Sequence, residues 1–311
     1  MRLLLGNEAL AWGAMDGGAR FYAGHPLQAS AEIDRALLSA LPERGGTAVL
    51  VEDEAAALAA TLGAGAGGLL GVTATNAAGL AVAGPLLEHA AAAGIPAILA
   101  VVGSPGEAPA TSPRPVSGIP RVETASQREL GPLRWCAPGA PALPVYAPAS
   151  AGECYTLARA AAHEATARSS PVVLYVDHVI GHLREPVEDA ALLDEAPERA
   201  DSFRVRDAVV LVVAVGIVAR AARSAVRLAR ERGVRAGLFR PVRLWPFPEM
   251  EFREAAAGVE RVIVAELNEG QLVETVASAA ADLDPRPSVR SLADGGVLEP
   301  DRIAAALEES P

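Results

Sequence analysis

The sequence predicts an α/β protein made of two successive parallel-sheet domains. Three observations point there. Apolar runs of strand length alternate with Ala-rich segments of helical periodicity through both halves of the chain, the pattern of right-handed βαβ units. Hydrophobic residues make up 51% and aromatics only 4%, so Ala, Val and Leu must fill the core, which suits helices packed on a buried sheet. The length, 311 residues, is enough for two substantial cores. The expected division is a first domain over 1–185, an acidic, aperiodic linker over 186–206 and a second domain over 207–311.

Taken in order, 5–20 reads as a first helix with Asn7 as a candidate cap and Leu10, Ala14 and Met15 on its inner face. FYAGHP (21–26) is a short strand ending in a Gly-His-Pro turn, and Ser30 is placed to cap a helix reaching Leu41. Ala48 to Val51 is a strand, and Glu52, Asp53 and Glu54 open an Ala-rich helix where the macrodipole favours anions. Further strands are expected at Leu69 to Thr75, 95–106 and 171–181, with a helix at 152–169. Residues 104–148 carry most of the loop signal, and so long a loop is either functional or disordered. The second half follows as strands at 208–215, 234–239 and 261–266, helices at 218–232, 271–282 and 300–309, and a short strand near Val289. Pro241, Pro246 and Pro248, with Trp245 and Phe247 between them, predict an anchored corner, since proline fixes φ and removes a donor.

Charge and cysteine usage exclude several functions. All 27 basic residues are arginine, the net charge is −11, and no basic field exists on the whole chain to release phosphate counterions, which argues against a nucleic-acid partner. Cys136 and Cys154 stand in no metal spacing, so neither an Fe–S cluster nor a structural zinc can be built from them. The longest apolar run, Ala208 to Ala219, has 12 residues where a membrane span needs roughly 20. MRLLLGNEAL lacks the features of a signal peptide, and a cytoplasmic protein is expected.

The motifs are more specific. VVAVGIVARAARSAV (212–226), GLFRPVRLWPFP (237–248) and VIVAELNEGQLVETV (262–276) present Gly216, Arg220, Arg240-Pro241, Trp245 to Pro248, and Glu266, Asn268, Gly270 and Gln271. Polar residues at the C-terminal end of an apolar strand are where an open α/β sheet is expected to bind or dock. This set resembles the C-terminal domain of the α subunit of 2-oxoacid:ferredoxin oxidoreductases, itself similar to the transketolase C-terminal domain. The resemblance extends to the first half. GNEALAWGAMDGGARFYAGHPLQASAEI resembles the family's G-N-E-A-x-A-x-G-A followed by Y-P-I-T-P-S-S-E-I, EDEAAALAATLGAGAGG its E-D-E-x-A-A stretch, and TATNAAGL its T-x-T-S-G-P-G. In the family this half is the pyrimidine-type domain of a thiamine-diphosphate enzyme.

The resemblance implies a chemistry. Thiamine catalysis needs a carboxylate that hydrogen-bonds the aminopyrimidine ring, and the family's activating glutamate falls on Glu54. By the residues alone Glu54 reads as a solvated first-turn carboxylate; the resemblance gives it the catalytic role, with Thr75 and Asn76 beside it at the cofactor. The implied substrate pocket holds His25, Pro26, Gln28 and Gly103. Gln28 replaces the family's Thr, Asn76-Ala77-Ala78 replaces Ser-Gly-Pro, and Val102-Gly103-Ser104-Pro105 stands where the family has an Arg-bearing Q-R-x-G-P-S-T-G. These changes predict a substrate outside the pyruvate and 2-oxoglutarate set. His25 reads either as a proton carrier or as a structural histidine beside a turn proline. The G-D-G and Asn that hold Mg²⁺ and pyrophosphate are missing; Asp16-Gly17-Gly18 and Asp294-Gly295-Gly296 have the wrong order. The implied assembly therefore shares thiamine diphosphate and Mg²⁺ with a separate β subunit, carries its Fe–S cluster on a partner, uses ferredoxin and coenzyme A, and forms a higher-order hetero-oligomer.

Two other readings stand beside this one. A repurposed paralogue serving as a structural or assembly subunit would account for the altered pocket residues. A nucleotide-binding α/β protein rests on GAGAGG at 63–68, which follows a helix instead of a strand, the wrong context for a phosphate-binding turn.

Overall fold

The computed structural model describes residues 2–104, 127–137, 139, 142–188, 197–293 and 298–309. Of the loop expected over 104–148, residues 105–126, 138, 140 and 141 lie outside them, as does the Asp294-Gly295-Gly296 motif. The elements run Arg2–Leu5 (β1), Gly6–Asp16 (α1), Phe21–Gly24 (β2), Ala31–Ala40 (α2), Thr47–Leu50 (β3), Glu54–Ala66 (α3), Gly71–Thr75 (β4), Ala77–Ala93 (α4), Ala97–Val102 (β5), Leu130–Arg134 (α5), Val145–Tyr146 (β6), Ala151–Arg168 (α6), Pro171–Val176 (β7), His178–His182 (α7) and Arg184–Val187 (β8). They continue as Ala200–Phe203 (β9), Val210–Val213 (β10), Gly216–Glu231 (α8), Ala236–Pro241 (β11), Arg243–Trp245 (β12), Glu249–Ala255 (α9), Arg261–Glu266 (β13), Val273–Ala279 (α10), Ser288–Ala293 (β14) and Pro300–Glu308 (α11).

Two compact units result. The first comprises Met1–Gly103, Gly131–Glu198 and Arg243–Pro246. It holds a seven-stranded sheet of order β12-β6-β7-β5-β4-β2-β3, parallel at every pairing except β12 with β6. Strands β4, β5 and β7 are buried along their whole length, which is why they read as unbroken apolar runs. Strand β3 closes one edge, with Val49 and Leu50 exposed. The second unit comprises Ser104–Leu130, Arg199–Val242 and Phe247–Pro311. Its five-stranded sheet has the order β14-β13-β10-β11-β9, parallel but for the edge strand β9. Phe239, Phe247 and Phe252 pack there with ring centroids 5.4–6.1 Å apart. Trp245 is also buried, so the proline corner is anchored as expected.

Local departures have local causes. The N-terminal segment opens with a strand before its helix, because Arg2 to Leu5 pairs antiparallel with β8. Asn7 does not cap that helix. The Glu8 carboxylate closes the end by accepting from Leu5 N at 2.9 Å, and the buried Asn7 amide donates to Ala29 O and Glu32 instead. Ser30 precedes α2 without a side-chain cap bond. Residues 186–206, expected as a linker, contain the end of β8 and the whole of β9. An edge strand such as Ala-Asp-Ser-Phe is half exposed and gives no continuous apolar signal.

Candidate functional site

Adjacent parallel strands bring their C-terminal ends to one sheet edge, and in the first unit that edge collects the expected site residues. In the order β5-β4-β2-β3 they follow as Gly103, Thr75 with Asn76, His25 with Pro26, and Glu54. Asp53 caps α3, accepting from Ala56 N at 2.7 Å, which makes Glu54 the first helical residue. Asn76 caps α4, accepting from Ala78 N at 2.9 Å and Gly79 N at 3.2 Å. Both helices therefore start at this edge, where the positive end of the macrodipole stabilises an anion.

Gly79 explains how these groups meet. A methyl group placed on it would stand 1.9 Å from Thr75 Oγ1, 2.9 Å from Glu54 Cγ and 3.0 Å from Glu54 Cβ. Only glycine lets α4 come this close to the Glu54 side chain. Glu54 itself is half-buried, neither sealed in the core nor free in bulk water. The Thr75 hydroxyl, 4% exposed as a residue, has no hydrogen-bond partner among the described residues. A buried hydroxyl left unpaired beside a half-open carboxylate is the feature a polar ligand would satisfy.

The turn after β2 is built over a buried acid pair. Tyr22 donates its hydroxyl to Asp34, and a side chain at Gly24 would meet that hydroxyl at 2.2 Å, so the chain must cross it as glycine. Burial holds the Asp34 carboxyl above the usual carboxylate range, the Tyr22 hydrogen bond offsets part of that rise, and Glu32 adds to it while His25 opposes it. The half-buried His25 places Nδ1 3.3 Å from Val51 O; with the proton on Nδ1 it donates there and keeps Nε2 as an acceptor. Pro26 is exposed, and Gln28 lies in a 3₁₀ turn, Gln28–Ser30. Gly103 lies across β4 from this turn. Its N–H donates to Val176 O at 2.8 Å, and a Cβ there would lie 3.1 Å from His178 N. Thus Glu54, Thr75 and Asn76 share one spot, His25 flanks it on the β2 side, and Gly103 packs on the β7 side.

The polar residues of the second unit are used differently. Glu266 is fully buried and accepts from Leu272 N at 2.8 Å; Asn268 Oδ1 accepts from Gly270 N and Gln271 N at 2.9 and 3.0 Å. Gln127 completes the arrangement. It is fully buried, donates to Val215 O at 3.1 Å, accepts from Leu267 N at 3.3 Å, and its carbonyl accepts from Asn268 Nδ2 at 3.2 Å. The expected binding face at Glu266 to Gln271 is therefore filled by the chain's own groups. Burial, partly offset by the Leu272 N–H, raises the Glu266 carboxyl.

Gly79 and Gln127 were not singled out by the sequence. Gly79 is the conspicuous one in hindsight, a glycine in the first turn of a helix where alanine would serve propensity better. Cys136 and Cys154 are both buried, and burial pushes the first thiol up to about 11 and the second well above the usual thiol range. Among the described residues no three His, Cys, Asp or Glu side chains converge as a metal site, and no helix is long and apolar enough to cross a membrane. GAGAGG forms the end of α3 and its exit turn, not a strand-to-helix loop.

Comparison with known proteins shows the family. Residues 12–208 match the family described as pyruvate flavodoxin/ferredoxin oxidoreductase, thiamine diP-bdg, and residues 208–301 match pyruvate:ferredoxin oxidoreductase core domain II. The 2-oxoglutarate synthase subunit KorA of Methanothermobacter marburgensis is 29% identical, with 96% of each chain covered. The ketoisovalerate oxidoreductase subunit VorB of Methanothermobacter thermautotrophicus is 28% identical, with 91% of each covered. Among solved structures, 2-oxoglutarate:ferredoxin oxidoreductase from Magnetococcus marinus, with 2-oxoglutarate, coenzyme A and succinyl-CoA bound, shares the fold at a TM-score of 0.84 and 20% identity. That alignment covers 99% of this chain and 64% of the solved one, so this chain spans under two thirds of that protein's length. The chain belongs to the 2-oxoacid:ferredoxin oxidoreductases, as a subunit of the alpha type.

Proposed function

We propose that this chain is the alpha subunit of a thiamine-diphosphate-dependent 2-oxoacid:ferredoxin oxidoreductase and contributes the aminopyrimidine half of a site completed by a separate beta subunit. The reaction is oxidative decarboxylation of a 2-oxoacid with coenzyme A, giving an acyl-CoA and carbon dioxide, with the electrons passed to ferredoxin through Fe–S clusters on a partner. The observation that carries this reading is Glu54 held half-open beside Gly79 and the unpaired Thr75 hydroxyl.

The residues present suit the coenzyme. Glu54 would hold the aminopyrimidine ring, Thr75 would supply the hydrogen bond it lacks in the free chain, and Asn76 keeps the start of α4 in place beneath them. When bound, thiamine diphosphate supplies the carbon nucleophile and the electron sink for decarboxylation. The Glu54 carboxyl would hydrogen-bond one nitrogen of the aminopyrimidine ring from the first turn of α3. His25 would face the substrate on the β2 side, and Tyr22 with Asp34 supports the turn that carries it. Mg²⁺ and the pyrophosphate fall to the beta subunit. Exposed Val49, Leu50 and Val82 in the same unit suit burial against such a partner.

The substrate is read as a 2-oxoacid with a bulkier or more apolar side chain than pyruvate or 2-oxoglutarate, since Gln28 and Gly103 replace the family's Thr and Arg-bearing segment. Those departures also favour a second reading, a repurposed assembly subunit without catalysis. Reconstitution with the partner chain decides between them. Wild type should bind thiamine diphosphate in calorimetry and oxidise a branched or aromatic 2-oxoacid. Glu54→Gln, still assembled, should lose roughly 10²–10⁴-fold in turnover. An intact complex without coenzyme binding would establish the second reading.

A further inference from the structure

The arginines are not spread evenly. Eleven of the 27 fall within Arg199 to Arg243, against three carboxylates, Asp201, Asp207 and Glu231, a local net charge of +8 in a chain of −11. All but Arg243 lie in the second unit, just before and just after β9, on α8 and the turn that follows it, and on β11. On α8, Arg220, Arg223 and Arg227 stand at helical spacing; Arg220 and Arg227 are exposed and Arg223 half-exposed. Beside them Phe203, half-exposed on edge strand β9, is met by three guanidinium groups, with the Cζ atoms of Arg204, Arg223 and Arg227 at 5.5, 4.7 and 5.5 Å from its ring centre.

Two of the three carboxylates are already paired. Asp201 serves Arg223 at 2.6 Å and Arg240 at 3.3 Å, and Asp207 serves Arg230 at 2.6 Å. Arg204, Arg206 and Arg227 are exposed and form no salt bridge among the described residues. Arg204 and Arg227 therefore flank the ring uncompensated beside the paired Arg223, and stacking on the ring offsets only part of their repulsion.

We infer that the face formed by α8 and β9 around Phe203 is a docking surface for a protein bearing a cluster of Asp and Glu side chains. Guanidinium forks match carboxylates bidentately, and an aromatic ring among arginines has the composition of an interface centre. Outside this block the chain is strongly acidic, so a nucleic-acid duplex or an anionic bilayer extending past the patch meets repulsion that a compact acidic partner avoids. This surface is separate from the Glu54 site and does not depend on the reading of that site.

The test uses the full chain with three probes: a short Glu- and Asp-rich peptide, a DNA duplex and phosphatidylglycerol vesicles. Wild type should bind the acidic peptide most tightly, and the binding should weaken as salt rises from about 0.05 to 0.3 M. Arg204→Glu with Arg227→Glu, both free of salt bridges, should weaken it by at least about tenfold, with unchanged circular dichroism. Arg35→Glu with Arg286→Glu, which makes the same charge change elsewhere, should alter it less than about twofold. Tighter binding of duplex or vesicles, or equal losses in the two double variants, would overturn the inference.

Discussion

The two sheets of this protein end alike and are finished differently. Each is an open, mostly parallel sheet whose strands deliver polar residues to a C-terminal edge. In the second unit that edge is closed from within. Gln127 bridges Val215 and Leu267, Asn268 and Glu266 take up the N–H groups of 270 to 272, and the polar groups named there are paired. In the first unit the corresponding edge keeps a half-open Glu54, a buried hydroxyl without a partner and a glycine where a methyl group would collide with both. Polar residues at a strand end therefore do not by themselves mark a site. The distinguishing feature is whether their hydrogen-bonding capacity has been spent inside the chain.

Four changes would break or sharpen this contrast. The largest effect on stability should come from Gln127→Ala, which strands the Val215 carbonyl and the Leu267 N–H inside the second unit. Two buried groups at about 1–3 kcal/mol each predict a loss of roughly 2–6 kcal/mol in urea unfolding. A loss below about 0.5 kcal/mol would mean that water replaces the side chain and the edge is not closed. Gly79→Ala should cost about 1–3 kcal/mol through overpacking. It should also displace Glu54, so that adding Thr75→Ala restores part of the stability while coenzyme binding, read by calorimetry on the assembled complex, stays weak.

The third change concerns pH. Burial raises the native Glu266 carboxyl above its ordinary value of 4.5. The native state then holds the proton more tightly than the unfolded chain, so stability is full below pH 4.5 and falls as pH rises through the native value. Glu266→Gln should flatten that decline in melts run upward from pH 4, and an unchanged slope would assign it to another group, such as Asp34. The smallest effect is expected for Thr75→Val. Removing an unpaired buried hydroxyl should leave the free chain unchanged or stabilise it by up to about 1 kcal/mol, while coenzyme affinity falls. A destabilised free chain would show that the hydroxyl is already satisfied.

Much of the architecture was legible beforehand, for reasons visible in particular segments. Strands β4, β5, β7 and β10 are buried along their lengths, so their sequences carry unbroken apolar runs. The acidic run Glu52-Asp53-Glu54 announced the start of α3 by chemistry local in sequence, and Asp53 caps it. Strands β1, β8 and β9 were missed because they are edge or two-strand pairings, specified by a partner far along the chain and not by their own pattern. Asn7 was misread for a similar reason. Its buried amide serves Ala29 and Glu32, more than twenty residues on.

What the sequence determined alone was the alternation of strands and helices and, through residues such as Glu54 and Trp245 to Pro248, the family. Those features depend on periodicity, on capping and on rare residues at set spacings, all of which are local. Only the tertiary structure decided which polar groups are spent and which remain available. That choice depends on neighbours brought together across the chain: Thr75 and Glu54 against Gly79, and Gln127 against Val215 and Leu267, 88 and 140 positions away.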